Sequence, residues 1–121
     1  MLGTVDADAA LAELTDISPQ IRRVVVVAED GAIVGSNAPD EDVAGRLAER
    51  GLRLAAQADD VQGSHVSQLE AATGEGSVFV VRDGGRTIIA TTRAEPTVGL
   101  VFYDLKTALR SIDTDETDAA S

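Results

Sequence analysis

Asp40-Glu41-Asp42-Val43-Ala44-Gly45-Arg46-Leu47-Ala48-Glu49-Arg50-Gly51-Leu52-Arg53-Leu54-Ala55-Ala56-Gln57-Ala58 is the stretch on which the fold turns. It follows Pro39 and opens with three acids. The Asp40 carboxylate can accept bonds from the free amides of a first helical turn, and Glu41 and Asp42 suit the positive end of the helix dipole. An acidic triplet is also a metal-ligand pattern, but no further ligand cluster accompanies it, so capping is the preferred reading. The spacing predicts a helix that stops near Asp59-Asp60. Advancing 100° per residue, its apolar and small residues fill one arc roughly 220° wide, about twice what one core contact needs. Val43, Leu47, Leu54 and Ala58, with their immediate neighbours, suffice to face a sheet. That leaves Gly45, Ala48, Leu52 and Ala56 for a second helix, because small side chains let helix backbones approach closely. An alanine-rich helix that merely fills space is the plainer alternative, but a second apolar face left in water invites aggregation. The narrow polar face holds Arg46, Glu49, Arg50, Arg53 and Gln57. Asp42–Arg46 and Glu49–Arg53 are spaced for local ion pairs, which contribute only about 0.3–0.5 kcal/mol each. The strip is therefore either a solvated salt-bridged face or a docking surface for an acidic partner.

Upstream, Val24-Val25-Val26-Val27 is too β-branched for a comfortable helix. Asp30-Gly31 then separates it from Ala32-Ile33-Val34, a step that signals a type I′ hairpin between strands at about 22–29 and 32–37. Before these lies a helix with Ala10, Leu11, Leu14 and Ile17 on one face, capped by Thr4 or Asp6 and ended by Pro19. Downstream, His65 to Ala71, Ser77 to Arg82 and Arg86 to Thr92 read as strands, separated by Gly74-Glu75-Gly76 and Asp83-Gly84-Gly85. Pro96 suits the first turn of a closing helix in which Val98, Val101, Phe102, Leu105, Ala108, Leu109 and Ile112 recur at helical steps. The order is helix, hairpin, helix, three-strand meander, helix: an α+β fold with one five-stranded antiparallel sheet.

Composition narrows the function. A chain of 121 residues is sized for one domain, and with two Phe, one Tyr and no Trp its core must be aliphatic. Having no cysteine, it has no disulfide, thiolate metal site or cysteine nucleophile. Net charge is −11, which argues against a nucleic-acid surface. Residues 1–20 and 113–121 each hold four acids and no base, so the part between them is nearly balanced. The expected division is a domain over 1–112 and an acidic disordered tail over 113–121. Nine of ten basic residues are Arg, in keeping with a GC-rich bacterial coding bias. No apolar run is long enough to span a bilayer, and Asp6 and Asp8 precede any base, unlike a secretory signal; a cytoplasmic protein without membrane insertion is expected.

Catalytic machinery is hard to find. His65 is the single histidine, and its neighbours Ser64 and Ser67 lie beside it along a strand, which is no catalytic arrangement. Lys106, the sole lysine, sits within the closing helix, so no Gly-Lys-Ser/Thr phosphate loop exists. No catalytic residue, cofactor-binding residue or metal ligand is assigned, and no enzyme activity is expected.

The order of elements resembles the Roadblock/LC7 domain over roughly residues 9–112. Asp30-Gly31 closes the first hairpin with Val34-Gly35-Ser36 after it, Gln68-Leu69-Glu70 sits in the third strand, and Val98-Gly99-Leu100-Val101 opens the final helix. The chain looks most similar to short, single-domain prokaryotic members that regulate Ras-like small GTPases. The resemblance implies a sheet ordered 2-1-5-4-3, with the long helix on one face and the terminal helices on the other. It also implies a homodimer through the middle helices and third strands, with Gly45, Ala48, Leu52, Ala56, Ser67 and Leu69 at the interface. Arg46, Glu49, Arg50, Arg53 and Gln57 would then meet a Ras-like small GTPase. The implied function is a non-catalytic regulator or adaptor, with a GTPase-activating role among the options, and none of the arginines is assigned as an arginine finger. Two alternatives stand beside it: a PAS-like small-molecule sensor, which shares the sheet order, and a purely structural dimeric scaffold.

Overall fold

The valine quartet expected to form a strand is fully buried and runs through the interior of the sheet, as part of β1 (Ile21–Val27). Successive side chains of a strand point to opposite faces, so a strand apolar on both faces needs a layer on each side. The computed structural model describes residues 7–120, and side chains for residues 7–112. Around β1 it places α1 (Ala7–Ile17), β2 (Ile33–Ser36), α2 (Glu41–Gln62), β3 (Gln68–Ala72), β4 (Ser77–Asp83), β5 (Arg86–Thr92) and α3 (Val98–Ala120). The sheet is antiparallel throughout, in the expected order β2-β1-β5-β4-β3.

One face carries Val24, Val26, Phe79, Val81, Ile88 and Ala90 against α1 and α3, where Leu11, Leu14, Val101, Leu105 and Leu109 fill the layer. Phe79 meets Phe102 edge-on, with ring centroids 4.9 Å apart. The other face presents Val25, Val27, Val80 and Ile89 to α2.

Local geometry corrects several expectations. The first hairpin is no two-residue type I′ turn: only Gly31 has positive φ (94°) there, its N–H donates to the Ala28 carbonyl, and the Ala28 N–H donates to the Ala32 carbonyl. A turn followed by a left-handed residue closes the hairpin instead. The type I′ signature falls at Gly84-Gly85, where both φ are positive and Asp83 pairs with Arg86. Helix α2 runs past the expected stop at Asp59-Asp60 to Gln62, because its C-cap is Gly63, left-handed and donating to the Asp59 carbonyl. Ile17, expected on the core face of α1, is 66% exposed at the last position of that helix. Pro96 precedes α3 rather than entering it, and Val101 donates to the Thr97 carbonyl as the first turn forms. Among the residues whose side chains are described, Ile112 is the last buried one of α3, and the helical backbone continues to Ala120. A helix already nucleated by a packed stripe extends at one hydrogen bond per residue fixed. The expected caps Thr4 and Asp6 lie outside the described residues.

Candidate functional site

Helix α2 begins as its sequence dictates: Asp40 is extended, and its carboxylate accepts from the Val43 N–H at 2.9 Å. The side it turns to the sheet is not the expected leucine side. Ala44, Ala48, Gly51 and Ala55 are the buried residues of the helix. Ala48 is 5% exposed in the core of this layer, so its expected place in a helix–helix interface is corrected. The physical reason is distance. A side chain on Gly51 would put its Cβ 2.6 Å from Ile89 Cδ1, so α2 lies too close to the sheet for anything larger along this line.

The larger apolar residues are consequently displaced to the flanks. Val43, Leu47 and Leu54, expected to face the sheet, are half-buried along one flank, and Leu52 is half-buried along the other. On the first flank a groove of about 470 Å³ opens between helix and sheet, bounded by Leu47, Leu54, Val78 and Thr91 and reached by Arg23, Arg46, Arg50 and Arg53. Gln57 lines the same groove. The polar strip thus borders an apolar trough that Arg46, Arg50 and Arg53 line from the helix and Arg23 from β1. Arg46, Glu49, Arg50, Arg53 and Gln57 are all exposed. Glu49 and Arg53 form the anticipated pair at 3.3 Å, whereas Asp42 and Arg46 form none among the described residues. Arg50 and Arg46 therefore stay available to an incoming anion.

Of the other expected interface residues, Gly45 has open space around it, Ala56 is exposed, and Ser67 and Leu69 lie at or just before β3. Leu69 is half-buried and packs onto the α2 layer. Strand β3 is terminal in the sheet, with β4 its one partner among the described residues, which leaves its outer edge unpaired among them. No Pro or Lys blunts that edge. Flanking Glu70 is engaged, accepting from Ser77 Oγ at 2.8 Å.

A polar clamp fixes where α2 hands over to β3. Arg82 on β4 donates from Nη2 to Asp59 Oδ1 at 2.5 Å and from Nε to the Val66 carbonyl at 2.8 Å, while the Val66 N–H donates to Asp59 Oδ1 at 2.7 Å. The Arg82 bond, then the Val66 amide, hold the Asp59 carboxyl below the usual aspartate range. His65, read as a strand residue, instead lies exposed in this connection. Sequence reading missed Arg23, Val78 and Thr91 as neighbours of the helix; strand alternation was the available signal, since residues 23 and 25 share the α2 face of β1. Among the described residues no cluster of acidic, His or Cys side chains suits a metal, and no helix is long and apolar enough to cross a membrane.

No protein-family model matches the sequence, and no curated protein matches it. Solved structures do. A Roadblock/LC7 domain from Streptomyces avermitilis superposes with a TM-score of 0.80 at 18% identity, over 91% of this chain and 97% of that one. A second Roadblock/LC7 domain described from Streptomyces avermitillis gives 0.73 at 24% identity, over 89% and 99%. The gliding protein MglB of Thermus thermophilus gives 0.76 at 14% identity, over 98% and 93%. The sheet order, the helix layers and these superpositions agree: the chain has the Roadblock/LC7 fold.

Proposed function

We propose that this chain is a non-catalytic regulator or adaptor that binds a Ras-like small GTPase as a homodimer, using the outer side of α2. The observation that carries the reading is the juxtaposition on α2: an apolar groove walled by Leu47, Leu54 and Val78, with Arg23, Arg46, Arg50 and Arg53 at its rim. A surface of this kind suits a partner that offers apolar side chains among carboxylates, and its exposed charges chiefly steer encounter and set orientation. The likeness in fold to MglB and to Roadblock/LC7 domains supports the same class of role. The open β3 edge and half-buried Leu52 and Leu69 support the homodimer, whose interface would bury on the order of 1,200–2,000 Å² in total. Any stimulation of turnover would come from repositioning the GTPase's own switch loops. The protein would be a soluble cytoplasmic one.

The test is binding of the full chain to a purified Ras-like GTPase, loaded with GDP or with a GTP analogue, at low and high salt. Arg50→Glu with Arg53→Glu should lower the association rate about tenfold or more while leaving the fold intact, and added salt should slow the wild type. Equal binding and equal GTPase turnover with the double reversal would remove this face from the site. Sedimentation of the wild type as a monomer at micromolar concentration would remove the homodimer.

A further inference from the structure

The opposite face of the domain carries a second groove, unlike the first in charge. It runs between α1 and α3, has a volume of about 320 Å³, and is floored by Leu14 and Ala108. Two large side chains border it with no core role: Ile17 is 66% exposed and Tyr103 67% exposed. One turn before Tyr103 stands Leu100, 49% exposed. Exposed apolar residues scattered singly are ordinary, but here two converge on one trough between helices.

Both charged residues lining the trough are acids, Glu13 on α1 and Asp104 on α3, and neither forms an ion pair among the described residues. Of the two bases on α3, Lys106 does not line the groove, and Arg110 donates from Nε to Asp83 at 2.8 Å, tied to the β4–β5 turn. The arginines of α2 lie on the other side of the sheet.

We infer that the α1–α3 groove docks an amphipathic basic helix of another protein, its apolar stripe between Ile17 and Tyr103 and its Arg or Lys residues against Glu13 and Asp104. Position between two helices and chemistry argue for this occupant. A trough between two helices accepts a third helix along its apolar stripe, and recognition through a few anchors at helical spacing is a common mode. An aromatic side chain with a polar tip, such as Tyr103, is the type enriched among residues that dominate binding. The carboxylate rim selects basic flanks and repels a second copy of this acidic face. Because the groove lies on the far side of the sheet from α2 and needs nothing from it, both partners can be held at once.

The experiment uses the full chain with isoleucine methyl labels and two synthetic helical peptides. One has a leucine stripe flanked by arginines; the other has the same stripe flanked by glutamates. The arginine peptide should shift the Ile17 methyl resonance saturably, and the glutamate peptide should not. Tyr103→Ser with Ile17→Ser, both at exposed positions, should weaken binding about tenfold or more, and Glu13→Lys with Asp104→Lys should do likewise. Equal binding of the two peptides, no loss in either double variant, or shifts confined to Ile89 beneath α2 would overturn the proposal. So would a fall in sedimenting mass of the peptide-free protein on Tyr103→Ser with Ile17→Ser, since the groove would then be covered by another copy of the chain.

Discussion

The two faces of the sheet are packed in opposite ways. On the α1–α3 side, large side chains interdigitate: Leu11, Phe79, Ile88, Leu105 and Leu109 have essentially no exposure. On the α2 side, a line of Ala44, Ala48, Gly51 and Ala55 brings the helix close to the strands, and the leucines flank it half-covered. The first layer seats its largest core side chains with no exposure. The second gives up some apolar burial, and in return keeps leucines and arginines together at the surface. A layer of the first kind stabilises the domain, and a layer of the second kind is suited to meeting something else.

The contrast predicts where truncation and enlargement hurt. Phe79→Ala removes a fully buried ring that also contacts Phe102, and should cost about 3–5 kcal/mol. The reverse change matters on the α2 side. Gly51→Ala adds one methyl into Ile89, at an overpacking cost of about 1–3 kcal/mol, while better helix propensity returns about 1 kcal/mol. The overpacking term is the larger, so a net loss of up to about 2 kcal/mol is expected despite the improved helix former. Urea unfolding of both variants checks the pair. A Gly51→Ala protein more stable than wild type would show that α2 can lift from the sheet freely, and the close-packed account of this layer would fail.

This asymmetry also marks how far the sequence could be read. Element order was legible from turn signals and hydrophobic periods, whereas the sheet order and the assignment of helices to faces came from the resemblance to the Roadblock/LC7 domain. The orientation of α2 was not legible. Its apolar arc is so wide that periodicity leaves the rotation of the helix undetermined, and the leucines expected to face the sheet pack at the margin of that layer, half-buried, with alanines and Gly51 at its centre. Only the approach distance between Gly51 and Ile89 decides it. The arginine strip was legible as a strip, since every member is exposed as expected. The groove beneath it was not, because Arg23, Val78 and Thr91 reach it from three strands whose register cannot be read from one sequence.

A smaller effect tests how the far end of α2 is held. Asp59 accepts from Arg82 and from the Val66 amide, which lowers its pKa in the folded state. A carboxyl with a depressed folded pKa contributes stability above its unfolded value, near about 4, and that contribution is lost as pH falls through the folded value. Asp59→Asn should therefore be less stable than wild type at neutral pH, with the gap narrowing as the pH drops below about 4. Denaturant midpoints at several pH values measure it. A gap that does not change with pH would mean that the clamp owes nothing to the charge of Asp59.

The smallest effect is expected at the end of α3. Ile112 is buried on α3, and beyond it the sequence offers no apolar residue larger than Ala. Four acids, Asp113, Asp115, Glu116 and Asp118, follow with no base among residues 113–121. Carboxylates in the last turns of a helix also face the negative end of its dipole, which disfavours them there. Removing residues 113–121 thus uncovers no core and relieves like-charge repulsion, so stability should change by less than about 0.5 kcal/mol in either direction. Truncation at Ser111 instead deletes Ile112, which is 4% exposed, and should cost about 2 kcal/mol or more from lost burial. The two truncations, compared by thermal unfolding, place the boundary of the folded domain between adjacent residues. A large loss from the first would mean that the acidic segment docks onto the domain, and the α1–α3 face would then be partly covered by its own chain.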